Sequence, residues 1–523
     1  MVTGFDDRVS TCNPLRRWLD KEFMMTTPIH PPITAASYAD GGTKRLLIDG
    51  HLVDASSGRT FESLNPATGE RLALVAEGDA HDVDLAVAAA RRAFDEGPWG
   101  KMKPFDRQTI LSRFADMVES RHEEIARLDT LDMGMPLTRT MGNRRRSVGM
   151  MRFYAGLTTA LRGDTIENSI PGDFLTYSVK EPVGVVGAII PWNNPHIAFI
   201  WKVGAALAAG CTVVLKPAEE ASLSALLLGE MLLEAGLPAG VVNVVPGRGE
   251  VAGARLAAHP DVDKIAFTGS TATGQEILRA SAGNLKRVTL ELGGKSPNIV
   301  FADADLDRAA EGAAMAAFGN SGQVCSAGTR LFVERPIFDD FVARVAQVAS
   351  ALKIGNGLDL ETQLGPLVSA TQLERVTGYF RVGRDEGASV YSGGVQLTDG
   401  EYAKGYFVAP TIFTDVRDDM RVASEEIFGP VVSATVFDDV DDVLRRANAT
   451  TFGLGSGVWT RDVGRAHHLA KSIRSGTVWV NCYNLMDPAV PFGGYKMSGY
   501  GREGGVHQVD EFLNVKSVWL RTD

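Results

Sequence analysis

The sequence predicts an α/β fold: a doubly wound parallel sheet followed by a second α/β unit. Three observations carry this. Short β-branched apolar runs stand at 183–190, 212–216, 240–245 and 264–268. Helical segments separate them at 197–209, 221–236 and 250–258. Unbroken apolar strands alternating with helices indicate a parallel sheet covered on both faces. The chain, 523 residues long, has ample length for more than one core.

Residues 1–44 are polar, of mixed charge and irregular, with no apolar core of a secretory leader. Met24 and Met25 stand as alternative starts. "RLLIDGHLVDA" (45–55) reads as a hairpin around Asp49-Gly50. Amphipathic helices follow at 81–95, 105–128 and 144–161. The basic run Arg144-Arg145-Arg146 reads as a solvated face or a subunit contact. Residues 174–182 alternate like a strand. Pro182 to Trp201 is uncharged and long enough to cross a bilayer, but Pro191, Asn193, Asn194 and Pro195 interrupt it. It reads as a buried strand, a loop and a helix start. From about 286 a second set begins with "RVTLEL" as its first strand. It continues with helix 305–319, strand "RLFVE", helix 336–352, and strands "VVSATVF" and "GTVWVN". The boundary between the two units falls at 291–296. The alternating tail reads as a strand that pairs on another subunit.

The net charge of −11 and the lack of a basic domain exclude a nucleic-acid binder. No membrane association is expected. Four distant cysteines, Cys12, Cys211, Cys325 and Cys482, make no disulfide framework and indicate a reducing, cytoplasmic setting. No CxxC, HExxH or GxSxG occurs, and His467-His468 point apart on a helix, so no metal is expected. Glycine, 56 residues, is in excess of average usage, which signals tight turns and close backbone approaches.

In a doubly wound sheet, ligands bind beyond the carboxyl ends of the strands. "FTGSTATG" (267–274) sits there, and Gly269, Ser270 and Gly274 could cradle an anion or merely cap a helix. "GRGEVAG", with Gly247, Gly249 and Gly253, misses the dinucleotide spacing and reads as a turn. Lys216 and Glu219 follow a strand, either as a surface ion pair or as partners of ribose hydroxyls. A carboxylate there repels a 2′-phosphate, which favours NAD over NADP. Cys325, ringed by small residues in "GNSGQVCSAGT", is a small buried hydrophobe or an approachable nucleophile. Glu291 ends an apolar strand, where its pKa should rise toward that of a working base unless Lys295 pairs with it.

Together the fragments "IIPWNNP", "LKPAEE", "FTGS", "LELGGKSP", "GQVCSAGTR", "EEIFGPV" and "PFGGYKMSGYGRE" resemble the aldehyde dehydrogenase superfamily, from about residue 45 to the C-terminus. The resemblance implies an NAD-binding domain (45–163 and 183–292), a thiol-bearing catalytic domain (293–508) and a small β oligomerisation extension (164–182 and 509–523). It implies Cys325 as nucleophile, Glu291 as general base and Asn193 as oxyanion donor. Pro191, Trp192, Lys216, Glu219, Gly269, Ser270, Gly274, Glu426 and Phe428 would hold NAD. Asn194, Trp201, Val324, Ser326 and Phe492 would line the substrate pocket, with Leu485 and Met486. Lys202 and Glu503 would relay protons. The expected product is a carboxylic acid, with a coenzyme A-acylating enzyme or thioester hydrolase on the same scaffold as the alternative. A homodimer or homotetramer is implied. No Arg or Lys flanks the cysteine, so the expected substrate is a neutral aldehyde.

Overall fold

The computed structural model describes residues 35–523; Cys12, Met24, Met25 and most of the N-terminal extension lie outside the described residues. The extension is shorter than the sequence suggests. Ala35–Tyr38 forms a helical turn, and Thr43–Lys44 pairs parallel with Arg71–Ala76. The Tyr38 hydroxyl donates to the Glu230 carboxylate.

The first sheet has eight strands. Its five central strands are parallel, in the spatial order Arg287–Glu291, Lys264–Thr268, Val185–Ile190, Thr212–Pro217 and Val242–Val244. The hairpin Leu46–Ile48 and His51–Val53 closes one edge antiparallel, and Gly499–Tyr500 closes the other. Asp49 and Gly50 both adopt positive φ, as a two-residue hairpin turn demands. The strand Arg287–Glu291 belongs to the first sheet, on the side where the 291–296 boundary puts it, although its run also read as the first strand of the second set. An alternating strand signals its type but not which neighbour it will meet.

Strand order reverses at Val185–Ile190. From there the chain builds outward through 212–217 and 242–244, then returns to the other side through 264–268 and 287–291. That reversal opens a crevice at the carboxyl ends of 185–190 and 264–268. The strands are buried on both faces, as the unbroken apolar runs require.

The second sheet has seven strands in the order Ser389–Ser392, Thr411–Thr414, Val431–Phe437, Arg330–Glu334, Pro297–Val300, Gly455–Trp459 and Thr477–Val480. Only the Ser389–Ser392 pairing is antiparallel. Helices Leu306–Phe318 and Phe338–Ala351 cover one face, packing Ala309, Ala313, Phe341 and Val345 against the strands. The expected single helix at 105–128 is two, Pro104–Ser120 and His122–Met133, broken at Arg121. Apolar spacing continues across the break, so periodicity alone could not detect it.

The tail strand Leu513–Arg521 pairs with Phe174–Pro182 of its own chain over nine residues, in a three-stranded sheet completed by Thr165–Ile166. Among the described residues, no helix is long and apolar enough to cross a membrane.

Candidate active site

The site lies where the carboxyl edge of the first sheet meets the loop preceding Arg330–Glu334. Strand Val185–Ile190 runs into Pro191-Trp192-Asn193-Asn194, and Pro195 starts the helix Pro195–Ala209. Asn193 is tied to the cysteine loop twice. Its Nδ2 donates to the Gln323 carbonyl at 2.9 Å, and its own carbonyl accepts from Asn320 Nδ2 at 3.1 Å.

That loop is strained. Asn320 and Ser321 adopt φ of 56° and 54°. Such left-handed residues cost roughly 1–3 kcal/mol each and persist only when their surroundings hold them. Here Ser321 Oγ donates to Gly365 O at 2.6 Å, and Gln323 Oε1 accepts from Val368 N at 3.0 Å. Gly322 shares the positive φ, and a Cβ there would lie 1.9 Å from the Gly429 carbonyl. Sequence reasoning passed over Asn320 and Gln323; the Asn-Ser-Gly run was the available signal, since Asn tolerates left-handed backbone.

Cys325 is partly accessible and packs beside Leu454, Trp479 and Phe492, with Trp201, Cys482, Tyr483 and Met486 around it. Burial pushes its thiol up to about 12, reinforced by the charges of Glu291, Glu426 and Glu503. Glu291 is 6% exposed, and its Oε2 has no hydrogen-bond partner. Burial and then the Glu503 charge raise its pKa well above the usual carboxylate range. The pairing with Lys295 does not form: Lys295 is buried beside Arg330 and Glu426, and burial pushes it down to about 7. Lys202 and Glu503, both buried, meet at 2.6 Å.

Most of the residues expected to hold a dinucleotide stand at or just beyond the carboxyl ends of strands of the first sheet. Lys216 Nζ contacts Glu219 Oε2 at 2.9 Å, and Glu219 Oε1 accepts from Gly249 N–H at 2.6 Å. The 247–253 turn thus serves to fix Glu219. Burial would raise the Glu219 pKa, but Lys216 outweighs it and the carboxylate is held below its usual value. Gly269 N donates to Glu291 O, joining the two strand ends. Ser270 caps the helix Thr271–Ser281, its Oγ accepting from Thr273 N at 3.1 Å. Gly274 faces Leu292, where a Cβ would come within 2.6 Å. Across the crevice, Glu426 Oε1 accepts from Gly294 N at 3.0 Å, and burial raises its pKa to about 7. Phe428, at φ 63°, meets the Trp192 ring edge-on at 5.2 Å. Gln372 donates to the Phe428 carbonyl and Arg375 to those of Glu426 and Ile427, fixing this loop from behind.

Trp201 and Phe492 stack at 6.2 Å in the apolar cluster that includes Cys325. Asn194 stands at the N-cap position of the helix Pro195–Ala209 without a side-chain capping bond, and Val324 is half-buried. Ser326 is fully buried, its hydroxyl donating to Asn484 at 2.8 Å, so it braces the loop. The basic run divides: Arg144 and Arg145 are exposed, but Arg146 turns inward and lies 4.5 Å over the Trp201 ring. The sequence held a signal for this, because Arg146 precedes the buried Met150 and Tyr154 by four and eight residues on one helix face. Among the described residues no metal-binding cluster occurs.

The model of the aldehyde dehydrogenase family matches residues 52–518. The chain is 49% identical to aldehyde dehydrogenase family 2 member B4, mitochondrial, of Arabidopsis thaliana, over 91% of this chain and 87% of that one. It is 48% identical to the mitochondrial benzaldehyde dehydrogenase of Antirrhinum majus, over 94% and 90%. Among solved structures, the NAD+ complex of an aldehyde dehydrogenase from Bacillus cereus superposes with a TM-score of 0.90 at 48% identity, covering 93% of this chain and 98% of that one.

Proposed function

The chain belongs to the aldehyde dehydrogenase family, and on that premise we propose that it oxidises an aldehyde to its carboxylic acid with NAD, through a thioester on Cys325. The observation that carries this is the convergence of Cys325, the unpartnered Glu291 carboxylate and the Asn193 amide on one crevice.

The crevice fits a dinucleotide. A glycine turn at a helix N-terminus suits a pyrophosphate. The ionised Glu219 suits ribose hydroxyls and disfavours a 2′-phosphate. Gly293 leaves the approach to Glu426 open, since a Cβ there would lie 2.3 Å from Glu426 Oε2. Pro191, Trp192, Lys216, Gly269, Ser270, Gly274 and Phe428 complete the proposed cradle. Bound there, NAD supplies the two-electron acceptor.

The chain's own residues do the rest. The Cys325 sulfur gives its proton to the Glu291 carboxylate, which passes it on toward Glu503, and adds to the carbonyl carbon. The resulting oxyanion accepts from Asn193 Nδ2 and the Cys325 backbone N–H, donors already positioned by the loop before the charge develops. After oxidation the acyl group remains as a thioester. Glu291, whose burial raises its proton affinity well above that of an ordinary carboxylate, takes a proton from water as the oxygen attacks, and the acid leaves with the thiol restored. Lys202 and Glu503 provide the proposed route for that proton. The base is what favours water over coenzyme A. The three-stranded sheet ends in a nine-residue edge strand with exposed Val515, Trp519 and Leu520, which supports assembly with further copies of the chain.

The test follows reduced nicotinamide with an aldehyde and no coenzyme A. Wild type should turn over steadily and release acid. Glu291→Gln should give a burst of one equivalent per subunit and then stall. Steady turnover by Glu291→Gln at the wild-type rate would sink the mechanism, and faster turnover with NADP would sink the argument from Glu219.

A further inference from the structure

Arg146 is a cation without an anion. Its guanidinium covers Trp201 at 4.5 Å, and Nη2 lies 2.9 Å from Met486 Sδ. Trp201 and Met486 pack in the same cluster as Cys325. No carboxylate lies within ion-pair distance of Arg146 among the described residues. The acid exerting the strongest pull on it, Glu503, is already paired with Lys202 at 2.6 Å. A second, half-buried arginine lies near enough to oppose its charge. Arg139, on Leu137–Gly142, approaches Gly319 at the start of the cysteine loop, where a Cβ would lie 2.6 Å from Arg139 Nη1. It too has no carboxylate partner among the described residues, and its charge opposes that of Arg146. Burial pushes Arg146 down to about 10, so it remains charged at neutral pH.

A cation drawn partly out of water is costly unless paired, and a second like charge nearby adds to that cost. Fork-shaped guanidinium groups match carboxylates in two-point contact. Resting on the dehydrogenase reading above, we propose that Arg146 recognises a carboxylate on the aldehyde substrate, so that the substrate class is an oxo acid carrying an aldehyde at one end and a carboxylate at the other. Arg139 reinforces the positive field from behind. The absence of basic residues beside Cys325 in sequence is thus compensated by a helix distant in the chain.

The experiment compares 5-oxopentanoate with pentanal, matched in chain length, for wild type, Arg146→Met and Arg146→Lys. Wild type should favour 5-oxopentanoate in kcat/KM. Arg146→Met should lower the ratio of the two kcat/KM values by tenfold or more, mainly through KM, and Arg146→Lys should recover part of it. A ratio unchanged by Arg146→Met, or a wild-type preference for pentanal, would overturn the proposal. If neither aldehyde is oxidised, the dehydrogenase reading fails separately. Glutarate protection of Cys325 from iodoacetamide then still decides the site. Protection lost in Arg146→Met supports it, and protection unaltered or absent in wild type refutes it.

Discussion

Replacing Gly294 by alanine tests how tightly the two sheets position the thiol. A Cβ at 294 would lie 2.3 Å from the Cys325 carbonyl oxygen, where ordinary contact begins at 3.4 Å. The obstacle is backbone, so no rotamer change relieves it. The Cys325 peptide must retreat by about 1 Å. The Gln323 and Asn320 bonds that anchor Asn193 belong to the same loop, so nucleophile and oxyanion donor move out of register together. A displacement of that size in a reacting group costs about 10²-fold in rate, equivalent to roughly 2.7 kcal/mol of transition-state stabilisation. The assay is kcat/KM for an aldehyde with NAD, alongside thermal unfolding to separate misplacement from loss of fold. Gly283→Ala is the control, being exposed with nothing within 4 Å of its added methyl. Gly294→Ala activity within threefold of wild type, at equal stability, would refute the claim that this contact sets the thiol's position.

Two further outcomes are expected. With the Cys325 thiol held near 12 by burial and three carboxylates, its alkylation by iodoacetamide in the ligand-free protein should climb steadily with pH beyond 9. An unperturbed cysteine levels off near its pKa of about 8.5, and a plateau there would contradict the site's electrostatics. The folded state holds this proton more tightly than the unfolded one, so the associated stability is present below the unfolded pKa and fades as pH rises toward 12. Lys202→Met removes the partner of a buried carboxylate. Breaking a buried pair costs about 3–5 kcal/mol, so the urea midpoint at pH 8 should fall. An unchanged midpoint at pH 8 would show that the 2.6 Å pair carries no stability.

Local chemistry determines local structure, and there the sequence was explicit. Strands 174–182, 264–268, 330–334 and 431–437 end at the expected residues, because β-branched runs bounded by glycine, proline or charge have one way to lie in a sheet. The motifs around Cys325, Glu291 and Asn193 were legible for a similar reason: each is a short contiguous string whose residue types announce a turn, a strand end or a cap. What a residue meets across the fold was not legible. The strand 287–291 looked like the start of the second sheet, yet its pairing with 264–268 was settled by the returning chain. Ser326 beside the thiol turned its hydroxyl to Asn484, while Arg146, nearly two hundred residues earlier in the chain, turned onto Trp201. By itself, then, the sequence determined the α/β architecture, the family resemblance and which residues are proposed to react. The tertiary structure alone decided which charges surround the thiol and which cation, among the described residues, rests on Trp201 with no carboxylate beside it, because Coulombic and desolvation energies depend on distances through space, not along the chain.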